Sequence, residues 1–389
     1  MVNRILPKKI IDTDVLTLAR QRIEVLFDRY DNINVSFSGG KDSTVVLNLV
    51  HDEAEKRNVP ITVHFVDEEV IPPETEDYVR RALEMPMIKR FDWICLPTKQ
   101  RNACSKSSPW WTAWDPEQRE LWCRDAPPEG IFEHPLFDNK RHGTRNLQEI
   151  FHPRENGNVA DVLGIRAAES LRRYRSVAKR THDNWISRSG QVGHVYTCKP
   201  IYDWSTEDVW TAPSLLNWDY NVAYDRMEAF GISRHAQRVA PAFAEEPLRD
   251  LPIWRECWPE MWEKVLLRVP GAATAGRYSK SPLYGYGGAA KDKPAGMSWQ
   301  EAIKGEVLKF PDLKTRKGLA DRIKQMVSNH ERKSDGDPIP EIEPHPHTGV
   351  SWGLLYMIAK RGDLRGRKDA LYGRNKDNFA SSQEDEADA

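Results

Sequence analysis

Val35-Ser-Phe-Ser-Gly-Gly-Lys-Asp-Ser43 decides how this chain folds. It overlaps the end of the apolar run Asn32–Phe37 (NINVSF), a buried strand, and leads into a helix over Ser43–Arg57. Gly39 and Gly40 permit a turn tight enough to aim successive backbone N–H groups into one concavity. The start of the next helix adds further N–H groups, and together they make an anion nest. Ser38 and Ser43 contribute hydroxyl donors, and Lys41 a mobile positive charge. Asp42 is the odd member, because a carboxylate repels phosphate. It points either to a bridging Mg2+ or to a cap on the local backbone. The spacing is not G-x-x-x-x-G-K-[ST], which excludes a Walker-type loop. The plainer reading is a strand-to-helix turn with glycine for geometry and serine as cap. The small and polar residues packed between strand and helix favour a nucleotide site.

Outward from this loop, short β-branched runs alternate with helical stretches. Ile61–Val66, Phe91–Leu96 and Val159–Ile165 read as further strands. A helix from Pro73 to about Glu84 starts with Pro and acids in its first turn, where the helix dipole favours them. Such repetition predicts an α/β fold, a parallel twisted sheet with helices on both faces. Ligands then bind at the carboxyl ends of strands, where strand order reverses. Residues 1–250 read as this nucleotide-binding domain, with a Trp-rich insertion at 98–158. Residues 251–373 read as a mostly helical accessory region, and 374–389 as a disordered acidic tail. Trp254, Trp258 and Trp262 recur every four residues, as on one helix face, and Leu319, Ile323, Met326 and Val327 mark another helix. Gly271–Gly296 reads as a mobile loop.

Lys and Arg total 57 against 58 Asp and Glu, which excludes a globally basic nucleic-acid binder. The charge is segregated, however. Arg166–Arg188 and Lys360–Lys376 each hold seven basic and two acidic residues, while four acids crowd Ser381–Ala389. Five cysteines without a C-x-x-C pair support neither a disulfide framework nor an iron–sulfur cluster. His345 and His347, flanked by prolines, read as a surface loop rather than a metal site. With no apolar leader and no long apolar span, the expectation is a soluble cytoplasmic protein without membrane contact.

Four motifs now carry a resemblance. SGGKDS after an apolar strand is the PP-loop signature of the N-type ATP pyrophosphatases. More narrowly, the chain resembles the phosphoadenosine phosphosulfate (PAPS) reductase superfamily. The V-D-T-G-x-x-F-P-E-T pattern of that family stands here as Val66-Asp-Glu-Glu-Val-Ile-Pro-Pro-Glu-Thr75. G-x-R-x-x-E-S-x-x-R stands as Gly164-Ile-Arg-Ala-Ala-Glu-Ser-Leu-Arg-Arg173, and K-P-I-x-D-W-[ST]-x-x-D-V-W as Lys199 to Trp210. The Trp-rich insertion and Asn221–Phe243 look like the IbrA-type bacterial and phage branch.

The resemblance implies an adenine nucleotide alpha hydrolase-like fold, and ATP or a sulfonucleotide with Mg2+ as ligands. It implies cleavage of ATP between its α and β phosphates to adenylate an acceptor, in sulfur or nucleic-acid modification. The catalytic residues are then Lys41, Asp42, Arg166 and Arg173, with Asp42 at the metal. Ser38, Gly39, Gly40, Lys41, Asp42, Ser43, Asp67, Gly164, Arg166 and Glu169 hold the nucleotide. On a helix beginning near Arg166, positions 166, 169, 170 and 173 share a face. Glu169 there grips a guanidinium whose planar fork suits phosphate or sulfate oxygens. Asp67, at the end of the second strand, meets ribose, adenine or a metal, or else caps the following helix. Ser205 and Asp208 form a capping box. Two competitors stand beside this reading. Sulfonucleotide reduction needs a cysteine thiolate, and the last cysteine is Cys257 in RECWPE, outside the family's C-terminal E-C-G-L-H-type motif. A nucleotide-switched protein acting on nucleic acid would use the basic segments and the Tyr- and Lys-bearing loop, with a ParB-like partner by family analogy.

Overall fold

The computed structural model describes residues 11–105, 108, 110–138, 147–169, 171–178, 184–189, 192–232, 234, 237–241, 243, 251–278, 293–294, 296–334, 336–342, 345 and 348–362. The acidic tail, His347, most of residues 279–295 and most of Lys360–Lys376 lie outside them. Two compact units form. One comprises Met1–Gln100, Thr112–Glu169 and Arg173–Pro241, the other Arg101–Trp111, Ser170–Arg172 and Ala242–Ala389.

The first unit is α/β, a mostly parallel sheet with helices. Strands β1 (Asn32–Phe37), β2 (Ile61–Val66) and β3 (Ile88–Ile94) are joined by helices α2 (Lys41–Arg57) and α3 (Pro73–Leu83), after α1 (Val15–Arg29). The Trp-rich segment contains a small ribbon of β4 (Lys99–Arg101) and β5 (Trp110–Thr112), then β6 (Gly130–Ile131). Next come α4 (Gln148–Phe151), β7 (Val159–Leu163), α5 (Leu171–Ala178), β8 (Ile186–Arg188), β9 (Val195–Cys198), α6 (Thr206–Leu216) and α7 (Ala223–Ala229). The seven-stranded sheet runs β6-β3-β2-β1-β7-β9-β8. All its pairings are parallel except β8 with β9. Strand order reverses beside β1, which pairs with β2 on one side and β7 on the other. The carboxyl end of β1, where the glycine loop sits, is therefore the switch point of the sheet.

Residue alternation gives this sheet two unlike faces. One carries Val35, Phe37, Val63, Phe65, Trp93 and Val162, all buried. The other carries Asn34 and Ser36 on β1, Thr62 and His64 on β2, Asp92 on β3 and Asp161 on β7, placed side by side by the register. Parallel sheets are ordinarily apolar on both faces, so the polar layer marks a departure. Its members are bonded to one another. Asp161 Oδ1 accepts from Asn34 Nδ2 at 2.8 Å and Ser36 Oγ at 2.7 Å, and its Oδ2 accepts from Gln148 Nε2 at 2.6 Å. Thr62 Oγ1 donates to Asn34 Oδ1 at 3.0 Å.

The second unit is helical in its described parts: α8 (Leu251–Cys257), α9 (Pro259–Arg268), α10 (Ala272–Tyr278), α11 (Trp299–Leu308), α12 (Leu313–Lys333) and α13 (Trp352–Arg361). Trp254, Trp258 and Trp262 are buried as expected, but Trp254 stands on α8, Trp262 on α9 and Trp258 at the break between them. Trp258 leaves the helical region (φ −135°, ψ 69°) before Pro259, whose ring cannot continue α8. Helix α10 takes up the start of the segment expected as a loop. Leu319, Ile323 and Met326 face a core with Trp299, Leu354 and Leu355, and Val327 packs at its edge. His345 is buried, not on a surface loop: its Nε2 lies 3.2 Å from Asp337 Oδ2. Among the described residues, no helix is long and apolar enough to cross a membrane.

Candidate functional site

At the switch point lies a cleft of about 790 Å³, formed within the first unit. That is within the size range of small-molecule sites. Its glycine loop is built by short-range chemistry. Gly39 adopts φ +67°, a left-handed conformation that favours glycine, and a Cβ there would lie 2.7 Å from Thr75 Cγ2. The side chain of Asn221 clamps the turn, donating to Gly39 O and Thr75 Oγ1, each at 2.8 Å. Ser38 and Ser43 share a hydroxyl–hydroxyl bond of 2.9 Å, and Ser43 Oγ donates to Gly40 O at 2.9 Å. Gly40 caps α2 without a side-chain bond, and the Lys41 amide donates to the Tyr224 hydroxyl at 3.0 Å. The nest is thus braced from within. Because the Tyr224 oxygen accepts from Lys41, its own proton faces other acceptors; burial pushes this phenol upward in pKa.

Lys41 lines the cleft with its Nζ 3.4 Å from Asp42 Oδ2. Burial lowers its pKa, Asp42 opposes that, and Arg166 and Arg238 add to it. Arg166, buried to 3% exposure, bonds through Nε to Asp42 Oδ1, and its Nη2 lies 3.2 Å from Glu169 Oε1. Glu169 Oε2 pairs with Arg173. Arg166, Glu169 and Arg173 are therefore brought together as expected, but not on one continuous helix. Ala167–Glu169 is a 3-10 turn that precedes α5, and Arg166 stands before it. The Ala167 amide is held by Tyr202 O at 2.7 Å, which fixes the entry to the turn. Gly164 sits where a Cβ would be 2.6–2.7 Å from backbone atoms of Asp42 and Ser43, so its lack of a side chain seats β7 against the start of α2.

Two expectations change. Both Asp42 oxygens face cations, Arg166 and Lys41, and the described residues contain no group of three potential metal ligands. This donor set does not fit a magnesium ion held by the protein. Asp67 does not line the cleft. It is 1% exposed and pairs with Arg124, accepts from Trp93 Nε1 at 2.7 Å, and accepts from the Glu69 amide at 2.9 Å. The Trp-rich insertion supplies that partner: Trp114 Nε1 donates to Asp67 O at 3.0 Å, and the Trp114 amide to Glu69 Oε2 at 2.7 Å. Trp114, Trp122 and Phe132 pack together beside it. Glu68, the next residue, reaches the cleft instead.

Sequence reasoning missed Glu68, Tyr224, Asn221 and the polar floor. His64 and His152 stack at 4.5 Å there, and burial with His64 nearby pushes His152 down to about 4. Asn221–Phe243, quoted above for its likeness alone, was the available signal. Beyond Asn221 and Tyr224, it brings Arg234 and Arg238 to the cleft lining. The fourth motif is structural as read. Ser205 and Asp208 form the capping box, and Asp203 pairs with Arg22 at 2.7 Å. Thr206 alone reaches the lining, 3.4 Å from Arg166 Nη1.

Residues 32–109 match the phosphoadenosine phosphosulfate reductase domain, and residues 231–337 match a domain of unknown function, DUF3440. The uncharacterized protein YbdN of Escherichia coli (strain K12) is 30% identical over 305 residues, covering 74% of this chain and 73% of that protein. The uncharacterized protein MJ0973 of Methanocaldococcus jannaschii is 25% identical over 256 residues, 64% of this chain, which spans only 50% of that protein. Among solved structures, PAPS reductase from Candida auris in a phosphate complex aligns with a TM-score of 0.30 at 13% identity, over 56% of this chain and 93% of that one. Candida glabrata FMN adenylyltransferase with FAD and pyrophosphate aligns at 0.33 and 12%, over 54% and 58%. The glycine loop at the switch point, the domain match that begins at its strand and the extent of the likeness to YbdN agree, and the chain belongs to the phosphoadenosine phosphosulfate reductase domain family of PP-loop proteins.

Proposed function

We propose that this chain binds ATP in the switch-point cleft and cleaves it between the α and β phosphates, transferring AMP to an acceptor and releasing pyrophosphate. The observation that carries this reading is that Lys41, at the amino end of α2, lines the same cleft as Arg173 and as Arg166, which is bonded to Asp42. Lys41 and the helix terminus hold the β and γ phosphates. Arg166, fixed between Asp42 and Glu169, and Arg173 orient the α phosphate. Such catalysis works by positioning and electrostatic stabilisation and needs no protein nucleophile. Purified protein given ATP, Mg2+ and the acceptor is expected to release pyrophosphate and form the adenylylated acceptor, with free AMP as the other product where water is the acceptor; ADP and orthophosphate as products sink the reading. Lys41→Ala removes a charged hydrogen bond worth about 1.5–3 kcal/mol, so ATP should bind roughly ten- to a hundredfold more weakly by calorimetry.

Sulfonucleotide reduction is the weaker reading. None of the five cysteines lines the cleft, and all five are buried. Burial raises the thiol pKa of Cys95 and Cys198, and that of Cys104 to about 12, away from thiolate chemistry. Cys257 is 1% exposed at the end of α8. Cys257→Ser should keep full ATP turnover.

A further inference from the structure

Four carboxylates line the cleft among the described residues: Asp42, Glu68, Asp161 and Glu169. Three are committed. Asp42 faces Arg166 and Lys41, Glu169 faces Arg166 and Arg173, and Asp161 accepts from Asn34, Ser36 and Gln148. Glu68 has no cationic partner among the described residues, and Gln100 of β4 is the polar side chain beside it. Glu68 follows β2 directly after Asp67, at the carboxyl end of the strand. A buried carboxylate without a cationic partner is held toward its neutral form, which raises its affinity for a proton.

We infer that Glu68 accepts the proton of the acceptor nucleophile, and that the acceptor is therefore a hydroxyl or amine compound rather than an oxyanion such as sulfate. This rests on the adenylyl-transfer reading above and names its substrate class. In the step, the lone pair of the hydroxyl or amine forms a bond to the α phosphorus. The bond from that phosphorus to the bridging oxygen breaks, its electron pair leaves with pyrophosphate, and the acceptor's proton passes to the Glu68 carboxylate. Sulfate at neutral pH has no proton to surrender and needs no such group.

Burial pushes the Glu68 carboxyl up to about 7, with Asp67 adding to the rise. A base of that strength is half-ready at neutral pH, where general-base catalysis is most effective. The other titratable groups facing the cleft are separable from it. His152 is neutral well below this range, and His64 is tested by substitution. The cations Lys41, Arg166, Arg173, Arg234 and Arg238 all line the same cleft, and Asp67 is the charged group that acts on Glu68.

The test uses the full chain, ATP, and water as the probe acceptor, with AMP as product and AMPCPP affinity measured in parallel. For the wild type, AMP formation should rise with pH through about 7 as Glu68 loses its proton. Glu68→Gln should lower it by at least about a hundredfold and abolish the pH limb, while AMPCPP affinity and thermal stability hold. Glu68→Asp should keep part of the rate, and His64→Gln should keep the limb. If Glu68→Gln forms AMP at the wild-type rate, the assignment fails and the adenylyl-transfer reading survives. If the wild type yields ADP, both fall together; if it binds AMPCPP but forms no AMP from ATP and water, Glu68 does not activate a hydroxyl and the assignment falls alone.

Discussion

Asp67→Ala is expected to destabilise the protein by about 3 kcal/mol, or more, without touching the nucleotide. Its carboxylate is the buried counter-charge of Arg124, whose side chain is 7% exposed. Arg124 would retain Glu76 Oε2 at 2.8 Å and Glu69 O at 3.0 Å, which places the cost at the lower end of the range for broken buried pairs. The Trp93 indole and the Glu69 amide would lose an acceptor as well. At roughly 2–4 °C per kcal/mol for a domain of this size, the melting temperature should fall by roughly 6–12 °C. Urea unfolding and AMPCPP titration separate the two roles. A normal unfolding midpoint with weakened nucleotide binding would return Asp67 to the nucleotide and remove it from the core.

Gly164→Val should do the reverse, with a functional loss out of proportion to its effect on stability. Its new Cβ would meet the Asp42 carbonyl carbon and oxygen and the Ser43 nitrogen at 2.6–2.7 Å, and backbone atoms cannot rotate aside. Overpacking of this kind costs about 1–3 kcal/mol. The relief available is to push the first turn of α2 away from β7, carrying Lys41 and Asp42 with it. A displacement near 1 Å at a positioned group lowers rate by about a hundredfold. AMP formation should therefore fall by about that factor in a variant that still unfolds cooperatively. An unchanged rate would show that the start of α2 tolerates movement and is not the phosphate cradle.

Local patterns revealed the central architecture. NINVSF, ITVHFV and the Pro- and acid-led start of α3 are each specified by a few neighbouring residues, and they formed nearly where expected. The strands β6, β8 and β9 escaped because they are two to four residues long and owe their pairing to distant partners. At the site, the loop residues were legible from spacing, whereas the Arg166–Glu169–Arg173 set came together across a 3-10 turn and the start of α5 rather than on one helix face. The inward or outward choice at Asp67 and Glu68 was not legible, since both follow a strand and the partners that bury Asp67, Arg124 and Trp114 among them, lie far along the chain. Tyr224 and Asn221 were hidden for a similar reason. Their contacts to Lys41 and Gly39 span more than 180 residues.

The two faces of the central sheet should diverge under different rules. Val35, Val63 and Val162 belong to a face on which aliphatic side chains can exchange one at a time if volume is kept. On the other face, replacing Asp161 strands three donors, Asn34 and Ser36 of β1 and Gln148 of α4. Each change there demands another, because half-satisfied buried networks are worse than apolar ones. Descendants of this chain can drift on the aliphatic face, but they leave the polar one only by rebuilding it in concert.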